Sequence, residues 1–84
     1  MRMNRIKVLL FATLKEKVGK DQIELEIPEK TTVSGLKDLL FQKYPELPKS
    51  KANLIVAVNK EFSFEQDEIP QHAEIAIFPP VSGG

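Results

Sequence analysis

The residues whose chemistry stands out are the last six of the chain, Pro79-Pro80-Val81-Ser82-Gly83-Gly84. The two prolines stiffen the backbone as it leaves the preceding segment. Because glycine lacks a Cβ, the Gly-Gly end can enter a channel too narrow for any other residue. The reactive group at the tip is the α-carboxylate of Gly84, which is ionised at neutral pH. Six residues span about 20 Å at most, so we expect a tail that presents this carboxylate away from the folded body.

A terminal carboxylate needs activation before it can react, because it is a poor electrophile as it stands. Conversion to a mixed anhydride, for example with AMP, opens the carbonyl carbon of Gly84 to attack, and glycine is the least hindered acyl group available. The protein would then be a substrate whose own terminus is activated and handed to a nucleophile. Composition alone favours the other interpretation, an inert frayed end, because flexible Gly-Gly termini are common.

Length and charge exclude several classes of function. A chain of 84 residues forms one small domain. A pocket for a drug-sized ligand would hollow out most of its core, so a self-contained enzyme is not expected. Twelve basic and twelve acidic residues give a formal net charge of zero, which argues against nonspecific binding to nucleic acid or to a membrane surface.

Side-chain chemistry is equally restricted. The sequence has no cysteine and one histidine, which excludes disulfides, thiolate metal sites, a cysteine nucleophile and a histidine metal cluster. We therefore expect the chain itself to hold no metal and no cofactor. No apolar run approaches the length of about 20 residues that spans a bilayer, and no apolar stretch of signal-peptide length follows the arginines near the N-terminus. These features predict a soluble, cytoplasmic protein.

Hydrophobic periodicity predicts five strands and two helices. Strict alternation marks residues 22–27 as a half-solvated strand, and apolar residues at helical spacing mark a main helix capped by Thr31 or Thr32. Gly35 within that helix suggests close packing at that point, since glycine costs a helix about 1 kcal/mol. The predicted strands are 6–11, 22–27, 54–58, 62–64 and 74–78, and the predicted helices are 12–18 and from the cap to about residue 43.

This element order predicts an α+β fold in which a mixed sheet packs across one main helix and leaves its other face solvated. The first and last strands are strongly apolar, so we expect them to be central and parallel, with the second half of the first strand buried on both faces. Residues 45–53 are predicted to be loop, and residues 66–73 to be loop with one helical turn. The folded domain is predicted to span residues 1–78, and the flexible tail residues 79–84.

Two phenylalanines lie where this fold would expose them. Strand alternation puts Phe78 on the opposite face of the sheet from Ile75 and Ile77, and it puts Phe11 on the same face as Lys7. If Lys7 is solvated, both rings lie on the solvent face beside the root of the tail. An exposed aromatic pair at that position would be a docking anchor for a partner. The alternative is that the two rings close the lower edge of the core.

The tail and two internal segments together resemble a known family. They are Phe78-Pro79-Pro80-Val81-Ser82-Gly83-Gly84, the opening Ile6-Lys7-Val8-Leu9-Leu10-Phe11-Ala12, and Val58-Asn59-Lys60-Glu61. From Ile6 to Gly84, the residue types, their order and their spacing resemble those of the small subunit of molybdopterin synthase, the MoaD family. The Pro-Pro-Val-Ser-Gly-Gly end is the specific part of this resemblance.

The resemblance implies a β-grasp, ubiquitin-like fold and a sulfur carrier. An adenylyltransferase resembling ubiquitin-activating enzyme would use Mg-ATP to adenylate Gly84, and a sulfur donor protein would replace AMP to give a thiocarboxylate. The large synthase subunit, in a heterotetramer of two small and two large subunits, would draw in the tail, and the sulfur would pass to cyclic pyranopterin monophosphate. On this view Gly84 is the acyl position, Gly83 gives clearance, and the remaining residues line or aim the tail in the channel: Pro79, Pro80, Val81 and Ser82.

Other positions depart from the family pattern. Many members have arginine where Lys15 stands, so Lys15 could offer a partner a single charge contact in place of a bidentate one. The alternative, which the residue type favours, is a solvated lysine without a partner contact. The family often has Asp-Gly-Asp before the last strand, whereas this chain has Gln71-His72-Ala73, which suggests a different turn type.

Three alternatives stay open at the level of sequence. The chain could carry sulfur for another product, such as thiazole, thiolated tRNA or cysteine, with the same Gly-Gly chemistry. It could be a protein modifier that forms isopeptide bonds with lysines, because an activated acyl group also reacts with amines. It could be a plain β-grasp interaction module with an inert tail.

Overall fold

The computed structural model describes residues 2–45 and 54–79. Over these ranges, neither helix combines the length and apolar character needed to cross a membrane. Residues 46–53 and 80–84, which include most of the predicted loop and tail, lie outside the described residues. The elements are β1 (Met3–Leu10), α1 (Ala12–Val18), β2 (Gln22–Pro28), α2 (Val33–Lys43), β3 (Ile55–Val58), β4 (Glu61–Phe62) and β5 (Glu74–Phe78).

The strands form one mixed sheet in the order β2-β1-β5-β3-β4. The central pair, β1 and β5, is parallel, which confirms the sequence-based prediction. β2 lies antiparallel to β1, with α1 as the connection, and β3 lies antiparallel to both β5 and β4. The last strand of the chain is therefore held between two neighbours at the centre of the sheet.

The core lies between α2 and one face of the sheet. Alternate residues of β1 and β2 are buried, and the buried side of α2 joins them in one apolar cluster. The predicted burial of both faces of β1 is wrong, because Val8 and Leu10 are buried whereas Leu9 between them is only half-buried. A single helix covers one face of the sheet, so side chains that point the other way keep contact with solvent.

The start of α2 follows from local chemistry. The Thr32 hydroxyl oxygen accepts a hydrogen bond from the Gly35 amide at 3.2 Å, which satisfies one of the free N–H groups of the first turn. A Cβ on Gly35 would lie 3.1 Å from Cγ2 of Thr31, so the absence of a side chain lets the capping segment approach closely. Both the cap and the close packing at Gly35 confirm the prediction.

Two predicted boundaries are wrong by more than one residue and one predicted helical turn is absent, each for a physical reason. β1 begins at Met3, earlier than predicted, because backbone pairing with Pro28 and Ile27 does not depend on apolar side chains. β4 ends at Phe62 because the Phe64 amide donates to the Asp67 carboxylate at 2.8 Å and forms a turn. Residues 66–73 contain no helical turn. Their backbone instead bonds to the start of α2, where the Val33 amide donates to the Asp67 carbonyl at 2.9 Å.

A buried asparagine ties the segment before β5 to β1. Asn4 is 1% exposed, its Nδ2 donates to the Pro70 carbonyl at 2.8 Å, and its Oδ1 accepts from the His72 amide at 2.8 Å. His72 has a φ of 58°, a left-handed conformation that favours glycine. A residue other than glycine thus adopts the left-handed conformation in this turn, and the hydrogen bond from its amide to Asn4 holds it in place.

Replacing Asn4 by leucine (Asn4→Leu) should lower the free energy of unfolding by about 2 kcal/mol, because the Pro70 carbonyl and the His72 amide would lose their partner inside the protein. Urea unfolding followed by circular dichroism measures the difference. The matched control is Gln22→Leu on the exposed edge strand, where we expect a change within about 0.5 kcal/mol. An unchanged midpoint for Asn4→Leu would contradict the linking role of Asn4.

Candidate docking face and tail root

The tail leaves from the centre of the sheet. β5 pairs with β1 on one side and with β3 on the other, and it ends at Phe78, which is level with Ile55. Pro79 follows and is half-buried. The remaining tail residues predicted to act in a partner channel, Pro80, Val81, Ser82, Gly83 and Gly84, lie outside the described residues. The root of the tail is therefore fixed by a strand that is paired on both sides.

The two phenylalanines form a stacked pair beside this root. The ring centroids of Phe11 and Phe78 are 4.7 Å apart, and the planes are inclined by 14°. Phe11 keeps 40% of its surface exposed, and Phe78 is half-buried. Both rings lie on the sheet face that α2 does not cover, as the alternation predicts. They do not close the lower edge of the core, which was the alternative.

Strand register extends this pair into a larger apolar surface. Leu9 pairs with Ala76, Ala76 with Ala57, and Ala57 with Phe62, so these four residues cross the open face in one row. The next row contains Phe78 and its partner Ile55, with Phe11 stacked at its end. We call this surface the open-face patch, and its members are Leu9, Phe11, Ile55, Phe62, Ala76 and Phe78, together with Ala57, which is itself buried.

The most exposed member of the patch was not identified from the sequence. Phe62 is 79% exposed and Ile55 is 37% exposed, yet neither was singled out as a site residue. The signal was present in part, because Asn59 and Lys60 form the tight turn that sets the β3–β4 register, with φ values of 51° and 72°. What the sequence did not give is the position of β3 next to β5, which brings Phe62 to the same face as Phe78.

Charged residues border the patch. Lys7 pairs in register with Glu24 on one side and with Glu74 on the other, and Arg5 forms an exposed ion pair of 3.1 Å with Glu26. An exposed pair of this kind contributes little to stability. An apolar centre with a charged border is the usual composition of a protein-docking surface.

The comparisons with known proteins agree with this geometry. Residues 8–84 match the model of the ThiS family. The chain belongs to the ThiS family. It is 43% identical, over 96% of its length and 98% of the relative, to the molybdopterin synthase sulfur carrier subunit of Dictyostelium discoideum. The corresponding subunit of Arabidopsis thaliana is 35% identical, over 94% of this chain and 82% of the relative. The MoaD resemblance is thereby confirmed.

Solved structures place this ThiS-family chain in a wider fold group. SAMP1 from Haloferax volcanii, a small archaeal modifier protein, superimposes with a TM-score of 0.82 at 27% identity, covering 96% of this chain and 100% of that one. The fold is the ubiquitin-like β-grasp, as predicted. Its order of elements explains why the C-terminal tail of a ThiS-family member follows directly from a central strand.

Lys15 lies next to the patch. It is exposed on α1 and lines a surface groove of about 420 Å³ together with Leu9, Phe11 and Gln22. The structure thus brings the three predicted docking residues, Phe11, Lys15 and Phe78, to one end of the sheet. Within residues 2–45 and 54–79, no group of three or more histidine, aspartate or glutamate side chains could hold a metal ion.

The stack should couple Phe11 and Phe78 energetically. In a double-mutant cycle of unfolding free energies with Phe11→Ala and Phe78→Ala, we expect a coupling of about 0.5–1.5 kcal/mol, which is typical of stacked rings. Phe11 and Phe62 share the patch without stacking, so the same cycle with Phe62→Ala is the matched control and should give a coupling near zero. Equal coupling in both cycles would show that the stack adds nothing specific.

Proposed function

We propose that this protein is a sulfur carrier in molybdenum cofactor biosynthesis and that Gly84 is its reactive residue. The proposal rests on two features together. The chain ends in Gly-Gly, and over nearly its whole length it is 35–43% identical to molybdopterin synthase sulfur carrier subunits. The tail root beside an exposed apolar patch supports it, because a carrier must bind partners while its terminus enters their active sites.

The proposed chemistry takes place on the terminal carboxylate. An oxygen of the Gly84 carboxylate attacks the α-phosphate of Mg-ATP in an activating enzyme, pyrophosphate leaves, and an acyl adenylate forms. Sulfide-level sulfur, supplied as hydrosulfide by a donor protein, then attacks the acyl carbon, the bond from that carbon to the AMP oxygen breaks, and a thiocarboxylate forms. In molybdopterin synthase the thiocarboxylate sulfur bonds to a carbon of cyclic pyranopterin monophosphate in place of an oxygen substituent. Water then hydrolyses the resulting thioester, which leaves the sulfur on the pterin and restores the Gly84 carboxylate. Sulfur is held on the main chain, which agrees with the absence of cysteine.

The large synthase subunit is the proposed partner for the open-face patch. Docking of the patch would fix the tail root, so that Pro79 and Pro80 aim the tail and Val81 and Ser82 line the channel. Gly83 would supply clearance for the acyl group of Gly84. Proximity of this kind converts a bimolecular reaction into an effectively unimolecular one. Acid–base groups and ATP with its magnesium ion would come from the partners.

A second candidate function is protein modification. It is favoured by one observation, the similarity to the small archaeal modifier SAMP1 over nearly the whole chain. A modifier would use the same activated Gly84, with a lysine amine as the nucleophile in place of sulfur.

Removing Gly84 tests the tail chemistry. Protein purified from its own cell should contain a fraction whose intact mass shows one sulfur in place of one oxygen, and a thiocarboxylate-selective reagent should label that fraction. The reagent distinguishes it from oxidation of Met1 or Met3. A variant without Gly84 ends about 3.5 Å short and should lose sulfur transfer by about 100-fold, because a misplaced reacting group is strongly penalised.

The matched control for this experiment is Lys20→Ala, an exposed change before β2, which should transfer sulfur as well as the wild type. Covalent adducts on lysines of other proteins, without any thiocarboxylate, would favour the modifier. Full sulfur transfer by the shortened variant would exclude Gly84 as the acyl position.

Truncation of Phe78 tests the docking surface. Phe78→Ala should weaken binding to the large subunit by more than about 1 kcal/mol, the usual threshold for a hot-spot residue, as measured by calorimetric titration. Phe41→Leu removes a half-buried aromatic ring on the helix side of the sheet and should leave the dissociation constant unchanged. An unchanged constant for Phe78→Ala would exclude the stack as a docking anchor.

A further inference from the structure

One buried charge has no part in the tail chemistry proposed above. Lys37 lies on α2, and its side chain is only 4% exposed. Lysine is almost never fully buried unless it is paired, because an unpaired ammonium group is costly to remove from water. The position of its partners therefore indicates what the charge does.

Two acceptors of the Lys37 ammonium group lie at the two ends of the β3–β4 hairpin. Nζ donates to the Leu54 carbonyl at 3.0 Å and to Oε1 of Glu65 at 2.6 Å. Leu54 directly precedes β3, and Glu65 follows the segment that continues from β4. One ammonium group thus connects both ends of the hairpin to the central helix.

Backbone bonds secure the Glu65 side of this connection independently. The Ser34 amide donates to the Glu65 carbonyl at 3.0 Å, and the Val33 amide donates to the Asp67 carbonyl at 2.9 Å. Lys37 adds the link from this loop, across the helix, to the start of β3. The Glu65 side chain is 47% exposed, so the pair lies at the border between the core and solvent.

The hairpin held in this way carries the exposed part of the open-face patch. Ile55 follows Leu54 directly, and Phe62 lies in β4. Both residues border a surface groove of about 270 Å³ at the hairpin, whose lining also includes Phe64 and Lys37. Phe64 is 70% exposed. The aromatic rings around this groove have few neighbours to hold them, so their position depends on the hairpin backbone.

General energetics argue against stabilisation as the main role of this pair. A buried ion pair often stabilises no better than apolar residues of similar size, because desolvation offsets the attraction between the charges. Apolar contacts are not directional, so an apolar side chain would not fix the positions of the Leu54 and Glu65 oxygens. An ammonium group that donates to both oxygens holds each of them at a defined position.

We infer that Lys37 is a positioning residue for partner binding: by bonding Leu54 and Glu65 it holds the β3–β4 hairpin so that Ile55 and Phe62 face the large subunit. This inference rests on the proposed function, since it concerns the docking surface of that complex. Phe11 lies at the opposite end of the patch from the hairpin, beyond β5. Phe78 lies between them, and its strand is also paired with β1, so Phe11 should be the patch residue that depends least on Lys37.

The test is a comparison of affinities for the large subunit under conditions where every variant is fully folded. Lys37→Met keeps the aliphatic stem and removes the ammonium group, and it should weaken binding about five- to tenfold, within the usual range for residues that act through others. Lys37→Arg supplies two donors and should restore most of the affinity. If Lys37→Met fails to fold, Glu65→Ala removes one partner from a half-exposed position and should weaken binding in the same direction.

A double-mutant cycle separates positioning from general loss of stability. In the Lys37→Met background, Phe62→Ala should weaken binding less than it does in the wild type, whereas Phe11→Ala should have its full effect. Ile23→Val, which trims the core at the opposite edge strand, is the matched control and should lower stability without lowering affinity. Hydrogen exchange of the Ser63 amide, which donates to the Val56 carbonyl at 3.1 Å, should accelerate in Lys37→Met.

The outcomes are distinguishable. Wild-type protein that does not bind the large subunit would overturn the proposed function and this inference with it. Wild-type binding with equal affinity for Lys37→Met and Glu65→Ala would overturn the inference alone. Equal weakening by Ile23→Val, or additive effects of Lys37→Met and Phe62→Ala, would reduce Lys37 to a purely structural residue.

Discussion

The structure depends on a sheet that one helix covers on one face only. β1 and β5 form the parallel centre of that sheet, and their alternate side chains meet the buried side of α2 in a single core. Burial of each large aliphatic side chain contributes about 1.5–3 kcal/mol, so this one contact supplies most of what holds a short chain together. The same arrangement leaves the other face without cover. Apolar residues on that face are available to a partner because the chain has no second helix layer within its described residues to bury them.

Buried polar side chains fix the positions of segments that the apolar core does not hold. Asn4 joins β1 to the turn before β5, and Lys37 joins α2 to both ends of the β3–β4 hairpin. Each one satisfies backbone groups that no strand ladder reaches, and each fixes a segment whose position bears on the tail root or the patch. The net stability gained from such a bond is small, although removing one side of it leaves the other groups unpaired at a larger cost. What these bonds add to the apolar core is a defined geometry.

The β-grasp order of elements connects the fold to the proposed chemistry. The last strand is central, so the backbone that leads to Gly84 is anchored on both sides up to Phe78. The aromatic stack lies at that same point, and a partner that binds the patch thereby also holds the origin of the tail. In the proposed function, partner binding and delivery of the terminus would thus both follow from the central position of β5. Relatives named as sulfur carriers and a similar structure named as a modifier are both compatible with a tail that follows a central strand.

The sequence by itself determined the strands with clear alternation and the Thr32 cap, because each depends on neighbouring residues. The strongly apolar character of the first and last strands also predicted their central, parallel pairing, which the structure confirms. The chemistry of the Gly-Gly terminus stays a prediction. The sequence also predicted that Phe11 and Phe78 share a face, since strand period and the position of Lys7 suffice for that. Only the tertiary structure decided that Leu9, Ala76, Ala57 and Phe62 form one row, because these residues come from four strands whose order no local pattern encodes. The burial of Lys37 was equally beyond the sequence, since a lysine on a helix is normally solvated and its partners, Leu54 and Glu65, are distant in the chain. Local periodicity sets which way a side chain points, whereas non-local pairing sets what it meets there.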